Sequence, residues 1–205
     1  MKRLLLSASL LLISFAAYGQ TNSPLAQPCT LKIAQAPAVR GVKIGMMIDE
    51  VLPLFPGSSE SGAVKQSLST AEGYPNFGYA YFGLDPSSWG KPERYAGINS
   101  YWINTFDRRI VGLSITYQQF PAGARWKNPD DLIQRFSDAL HLPGPNAWVS
   151  DPNGGGRRKL QCDGFEIYVG AGEPSSIAFY TQGWEGTKRE RLAAFEEQKR
   201  REFKP

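Results

Sequence analysis

Three observations predict an α+β fold: an antiparallel sheet with helices packed on one face. Short apolar–polar alternations near 77–84, 98–106, 110–117, 165–169 and 176–181 are separated by turn residues rather than by long crossovers, the mark of antiparallel pairing. Helical patterns open near Met47 and at Pro129, each ahead of a group of strands. A charged run closes the chain. The resulting order is helix, about three strands, helix, about three strands, helix, as in two loosely similar αβββ halves followed by a C-terminal helix.

The N-terminus carries an export pattern. Lys2 and Arg3 precede an apolar run from Leu4 to Phe15, and Ala17-Tyr18-Gly19 offers small residues where a signal peptidase reads. Residues 1–19 are therefore expected to be a signal peptide cleaved before Gln20, placing the mature chain in the periplasm or outside the cell. The apolar run is too short for a span of ~20 residues, so no membrane anchor is expected. Residues 20–38 read as an extended, Pro-punctuated arm, 39–184 as a single α+β domain and 185–205 as a charged helix. Lys2 and Arg3 supply two of the four formal positive charges, which leaves little attraction for nucleic acid. A hydrophobic fraction of 41% is enough for a core, and 21 Gly with 15 Pro imply a loop-rich, soluble globular domain.

Export makes Cys29 and Cys162 an expected disulfide. Pro28 and the polar stretch before it do not fit a lipid-attachment signal at Cys29.

Taken in order, Val42 and Ile44 alternate, Gly45 permits a turn, and Asp49 and Glu50 suit a first helical turn. Met46 and Val51 are spaced as a hydrophobic staple around an N-cap at Met47, although Met cannot cap. Pro53 and Pro56-Gly57 hold this helix to about two turns. Residues 58–73, small and polar, read as a surface loop. An aromatic stretch from Tyr74 to Phe106 follows, with Phe77, Tyr79 and Tyr81 alternating against Ala80, Phe82 and Leu84. A hairpin is expected across Asp107-Arg108-Arg109, with Val111, Leu113 and Ile115 on the buried face and Ser114 and Thr116 on the other.

Asn128 as cap, Pro129 at the first position and Asp130-Asp131 at the positive end of the dipole start the second helix. Leu132, Ile133, Phe136 and Leu140 form its apolar stripe, with Phe136 buried, and Leu142-Pro143-Gly144-Pro145 ends it. Asp163-Gly164 is a hairpin turn between Arg158–Cys162 and Phe165–Val169. Thr187-x-x-Glu190 reads as a capping box for the last helix, supported by Glu196–Arg200 and Glu197–Arg201 pairs.

The stretch Ile44-Gly45-Met46-Met47-Ile48-Asp49-Glu50-Val51 resembles the G-M-[ST]-x-x-E/Q-V helix start of the BamE and β-lactamase-inhibitor-protein (BLIP-like) group of exported bacterial proteins. The resemblance covers about eight residues, with Met47 in place of the capping Ser/Thr. It implies export and helices packed on an antiparallel sheet, in a group whose known members bind other proteins. It assigns no partner and no binding residue.

The sequence offers no catalytic, cofactor or metal residue. His141, the only histidine, falls at the end of the second helix, where it satisfies free carbonyls. No G-x-S-x-G elbow occurs, and Cys29, His141 and Cys162 are too scattered for zinc. Asp151-Pro152-Asn153-Gly154-Gly155-Gly156 begins like a calcium loop but has Cys162 where the bidentate carboxylate belongs. Gly90-Lys91 lacks a phosphate loop's glycine spacing. Asp130 and Asp131 point in different directions on a helix and suit its dipole rather than acid–base work.

The candidate binding surface is aromatic: Tyr74, Trp89, Tyr95 and Trp102. These rings either fill the core or stand exposed. The Lys188 to Lys204 segment reads as a solvated helix, with a weak anionic contact as its alternative. The leading function is an exported, non-enzymatic module that binds a protein or envelope component through a sheet face or aromatic loop. The alternatives are a glycan hydrolase using carboxylates among Asp85, Glu93, Asp107 and Glu166, spaced ~5–10 Å apart, and a carbohydrate-binding module with coplanar exposed rings.

Overall fold

A computed structural model of the chain describes residues 28–86, 94–117, 129–151, 154, 156–172 and 175–204. The signal segment with its cleavage point, most of the arm, Asn128, Trp89 and Glu93 lie outside these residues, as does Gly90-Lys91. The fold is α+β: a seven-stranded antiparallel sheet with helices packed against it and a long C-terminal helix.

The strands are β1 (Tyr79–Leu84), β2 (Ile98–Phe106), β3 (Arg109–Tyr117), β4 (Val149–Ser150), β5 (Arg158–Gln161), β6 (Phe165–Gly170) and β7 (Ser176–Thr181). They lie in the order β1-β2-β3-β7-β6-β5-β4. Two meanders thus meet at the β3–β7 seam, where Leu113 faces Phe179 and Ile115 faces Ile177. The second meander carries the extra two-residue strand β4, so the halves are not equal.

Alternation assigns the two faces. Phe82, Leu84, Tyr101, Ile103, Leu113, Ile115, Leu160, Phe165, Ile167, Ile177 and Phe179 are buried in one continuous core. Against this inner face pack α1 (Ile48–Val51), α2 (Gly62–Ser69) and α3 (Pro129–Leu140). α1 supplies Ile48 and Val51, and the turn after it supplies Leu52 and Phe55. Glu50 accepts the Met47 N–H at 2.8 Å, so the third helical residue closes the start that Met47 leaves open. α1 continues as a tighter turn, Leu52–Leu54, with Pro53 inside it.

Residues 58–73 are not a loop. A 3-10 turn, Ser58–Glu60, leads into α2, which buries Val64 and half-buries Leu68. Val64 and Leu68 are one helical turn apart, a pattern that the flanking Gly and Ser residues mask in the sequence. In α3 the buried residues are Leu132, Ile133 and Ser137, while Phe136 is half-buried, its ring 5.5 Å from that of Tyr117. The apolar stripe is therefore rotated toward Ile133. His141 stands exposed one residue beyond α3 in the left-handed region (φ 54°), where it ends the helix by backbone geometry; the Leu142 N–H returns to the Ser137 carbonyl at 2.9 Å. Asp130 pairs with Arg158 at 3.1 Å, tying the first turn of α3 to the sheet.

The β2–β3 hairpin closes on two residues, Asp107 and Arg108, both left-handed (φ 49° and 62°), and Arg109 is already in the strand. Neither is the glycine that such turns favour. Each is held from outside, Asp107 by Arg191 and Arg108 by Asp49. The register shifts at Asn104/Thr105, where Thr105 pairs with Ile110 and Asn104 with Gly112. Val111 is the extra residue of this bulge and is buried, as expected with Leu113 and Ile115; the bulge buries Ile110 beside it. Ser114 and Thr116 lie on the opposite, outer face as expected, half-buried.

Cys29 and Cys162 are disulfide-bonded, with Cα atoms 4.6 Å apart. The described part of the arm has other attachments. Lys32 bridges Asp163, the Asp163 N–H reaches the Leu31 carbonyl at 3.0 Å, and Ala36 and Val39 are buried. Among the described residues, no helix is long and apolar enough to cross a membrane.

The last helix, α4 (Trp184–Glu202), starts three residues before Thr187, on Gly183 in the left-handed region, so the Thr187 capping box does not form. Arg201 pairs with Glu197, and Arg200 also turns to Glu197 rather than to Glu196.

Candidate functional site

The outer face of the sheet divides into a covered and an open part. Tyr79 and Phe106, paired across β1 and β2, lie under α4. Trp184 stacks on Tyr79 at 5.1 Å and meets Phe106 at 5.8 Å; Lys188 and Arg191 follow one turn apart over the Tyr79 and Phe106 rings. Phe195 completes the stripe against Tyr74 and Phe77. The spacing 184, 188, 191, 195 is one helical face, although no α4 residue is fully buried.

Beyond the end of α4's stripe the outer face is open among the described residues. Tyr81 (49% exposed) and Trp102 (40%) stack on each other at 5.3 Å with planes 15° apart. Gly83, paired with Trp102, makes this possible, since a Cβ there would stand 3.1 Å from the indole. Gly112 likewise leaves room for Asn104, which accepts a hydrogen bond from the Tyr79 hydroxyl at 2.9 Å. Ser114, Ala178 and the exposed Tyr180 carry the surface across the β3–β7 seam to Tyr168 on β6.

The charges on this face are mutually satisfied. Glu166 accepts from Lys159 (2.6 Å), from the Tyr168 hydroxyl and from Gln182 (3.1 Å). Partial burial alone would raise its pKa, but the hydrogen bonds from Lys159 and Tyr168 outweigh it and hold the carboxyl below its ordinary range. Arg157 pairs with Asp151 at 2.9 Å and lies over the Tyr168 ring.

The four aromatic candidates separate. Trp102 is on the open face. Tyr74 is 63% exposed but engaged by Phe195. Tyr95 is core, 2% exposed, its hydroxyl donating to the Leu54 carbonyl at 2.8 Å. Trp89 lies outside the described residues. Tyr81, Tyr168 and Tyr180 are the members that sequence reading missed; each alternates with core residues of its own strand, which is the signal that would have found them.

Among the described residues, the candidate carboxylates do not share a cleft. Asp107, at the β2–β3 turn, makes a double hydrogen bond with Arg191, both at 2.7 Å, and this guanidinium holds its carboxyl below the usual range. Glu166 lies on β6 across the sheet, Asp85 follows β1, and Glu93 is outside the described residues. An open cleft of about 380 Å³ does adjoin Asp107, lined by Leu68, Ala71, Phe77, Arg108 and Arg191, with Glu72 on its rim. Among the described residues, no group of three or more His, Cys, Asp or Glu side chains is placed to hold a metal ion. No protein-family model, curated protein or solved structure matches this chain.

Proposed function

We propose that the protein is an exported binding module whose open outer sheet face docks a protein partner. The observation that carries this reading is the Tyr81–Trp102 stack, which stands half-exposed, its indole against Gly83, instead of in the core. Large aromatic groups beside satisfied polar pairs are the composition of protein-binding hot spots. A glycan platform requires rings side by side; here each ring covers one face of the other, which favours the protein partner over the carbohydrate module. Hydrolysis needs one carboxyl held protonated, whereas Asp107 and Glu166 are both held ionised by neighbouring cations. The disulfide and the export pattern of residues 1–19 support placement in an oxidising compartment. The resemblance of residues 44–51 to protein-binding exported families points the same way.

The test is a pull-down from envelope extract with the mature protein, run beside its Tyr81→Ala/Trp102→Ala variant and a glycan array. The reading expects a captured protein whose cross-links map to β1, β2 and β7 and whose capture the variant loses. Capture that survives the double substitution, or glycan binding without any protein, contradicts it.

A further inference from the structure

The open cleft beside Asp107 lies where the end of α2, residues 71–78, the β2–β3 turn and α4 meet. Its volume of about 380 Å³ is in the range that holds a small organic molecule, and Leu68, Ala71 and Phe77 give it apolar walls. Most of its charged groups are already matched. Asp107 is held by the Arg191 guanidinium, which also donates to the Phe77 carbonyl at 3.0 Å. Gly78 permits this arrangement, for a Cβ there would stand 2.3 Å from Oδ1 of Asp107. Arg108 pairs with Asp49. Glu72, exposed at the mouth, adds to the field at Arg108 but forms no ion pair or hydrogen bond among the described residues. The cleft therefore carries one negative charge without a matching cation.

Its inner end carries a second unmatched polar group. Ser58, Ser137 and Thr105 are the buried hydroxyl residues among those described. Ser58 donates to the Leu52 carbonyl at 3.0 Å and Ser137 to the Pro143 carbonyl at 2.8 Å. The Thr105 hydroxyl has no hydrogen-bond partner among the described residues, and of the three only Thr105 lines the cleft. A buried hydroxyl left in this state is rare and marks a place where a further group can bond. At 1% exposure Thr105 is the deep end of the cleft, whereas Glu72 is at its mouth.

We propose that this cleft is a binding site for a small organic cation, a protonated amine on a short apolar body with a hydrogen-bonding atom at its far end. The ammonium meets the Glu72 carboxylate at the mouth in a charge-assisted hydrogen bond. The apolar body lies along Leu68, Ala71 and Phe77, and the far atom bonds the Thr105 hydroxyl, which can donate or accept. The Asp107–Arg191 and Arg108–Asp49 pairs stay intact and frame the entrance. None of these residues belongs to the Tyr81–Trp102 face, so the site stands apart from any partner docked there.

Chemical-shift titration of the disulfide-bonded protein at neutral pH and fixed ionic strength tests it, with aminopentanol, pentylamine and pentanoate as separate probes. Both amines should give saturable shifts at residues 68–78 and 105–108, aminopentanol the more tightly, and pentanoate none. Glu72→Gln, altered only at an exposed side chain, should weaken both amines about tenfold. Thr105→Val should weaken aminopentanol about tenfold and leave pentylamine unchanged, a split that a general loss of structure would not produce. Without ligand, Thr105→Val should melt no lower than the parent, because its hydroxyl has no bond to lose. No saturable binding of either amine, pentanoate bound as tightly as the amines, parental aminopentanol affinity in either variant, or a lower-melting Thr105→Val overturns the site.

Discussion

The two faces of the sheet use the same strands for opposite ends. On β1, Ala80, Phe82 and Leu84 enter the core while Tyr79 and Tyr81 face outward; on β2, Tyr101 and Ile103 face inward against Trp102 and Asn104. The inner face is closed by α1, α2, α3 and the disulfide-tied arm. The outer face is clasped at one end by α4 and left open at the other. The inner layer is continuous and apolar, whereas the outer layer consists of ring stacks, cation–ring contacts and ion pairs. The continuous core thus lies on one side of the sheet and the proposed docking surface on the other, and substitutions on the two sides should separate stability from binding.

The largest effect is expected inside. Phe179 is fully buried at the β3–β7 seam, and Phe179→Ala should cost about 3–5 kcal/mol in denaturant unfolding. A loss under about 1 kcal/mol would mean that the seam does not anchor the two meanders. Next comes the arm. Replacing both Cys29 and Cys162 by Ala opens a loop of 133 residues and should remove roughly 2–5 kcal/mol, below the loop-entropy limit because the unfolded chain is compact. Unchanged stability would show that Ala36, Val39 and the Leu31–Asp163 contact hold the arm alone.

The clasp is weaker. Trp184→Ala removes the stack on Tyr79 and the contact with Phe106, and should cost about 1–2 kcal/mol. If amide exchange in residues 184–202 stays as slow as in the parent, Trp184 is not what holds α4 to the sheet. Acid should loosen the same contact. The Asp107 carboxyl has a lowered folded pKa, so its contribution is complete above the unfolded value and is lost as pH falls through the folded one. Protection of the α4 amides, measured relative to their intrinsic exchange rate at each pH, should therefore fall below about pH 4 in the parent but stay constant over that range in Asp107→Asn. An equal response in both would assign the acid effect elsewhere.

Much of this comparison was legible in the sequence, and the gaps have physical causes. Strict alternation gave β6 and β7, and the Pro129 start gave α3, because period and cap agree there. α2 was hidden because only Val64 and Leu68 carry its apolar face amid Gly and Ser. The bulge at Val111 leaves Ile110 and Val111 buried in succession, and period-two counting contains no signal for an extra residue. The capping box at Thr187 was overridden by Trp184, whose stacking on a distant strand extends the helix backward. Tyr95 and Trp102 are both aromatic, yet one is core and the other surface: Tyr95 lies in the turn ahead of β2 and stacks on Phe55, whereas Trp102 takes an outward position of β2 itself. Tyr101 was unremarkable as a sequence position, since the lack of a hydrogen-bond partner for its buried hydroxyl among the described residues is visible only in three dimensions.

The central claim is that the open outer face binds and the inner face stabilises, and one paired measurement tests it most directly. Unfolding free energy and affinity for the captured envelope protein are measured together for the parent and for Trp102→Ala. The substitution should change stability by less than about 1 kcal/mol, since Trp102 is 40% exposed, and weaken binding by about 2 kcal/mol or more. A Trp102→Ala protein that binds as the parent does while losing several kcal/mol of stability would contradict the account, because the stack would then belong to the fold.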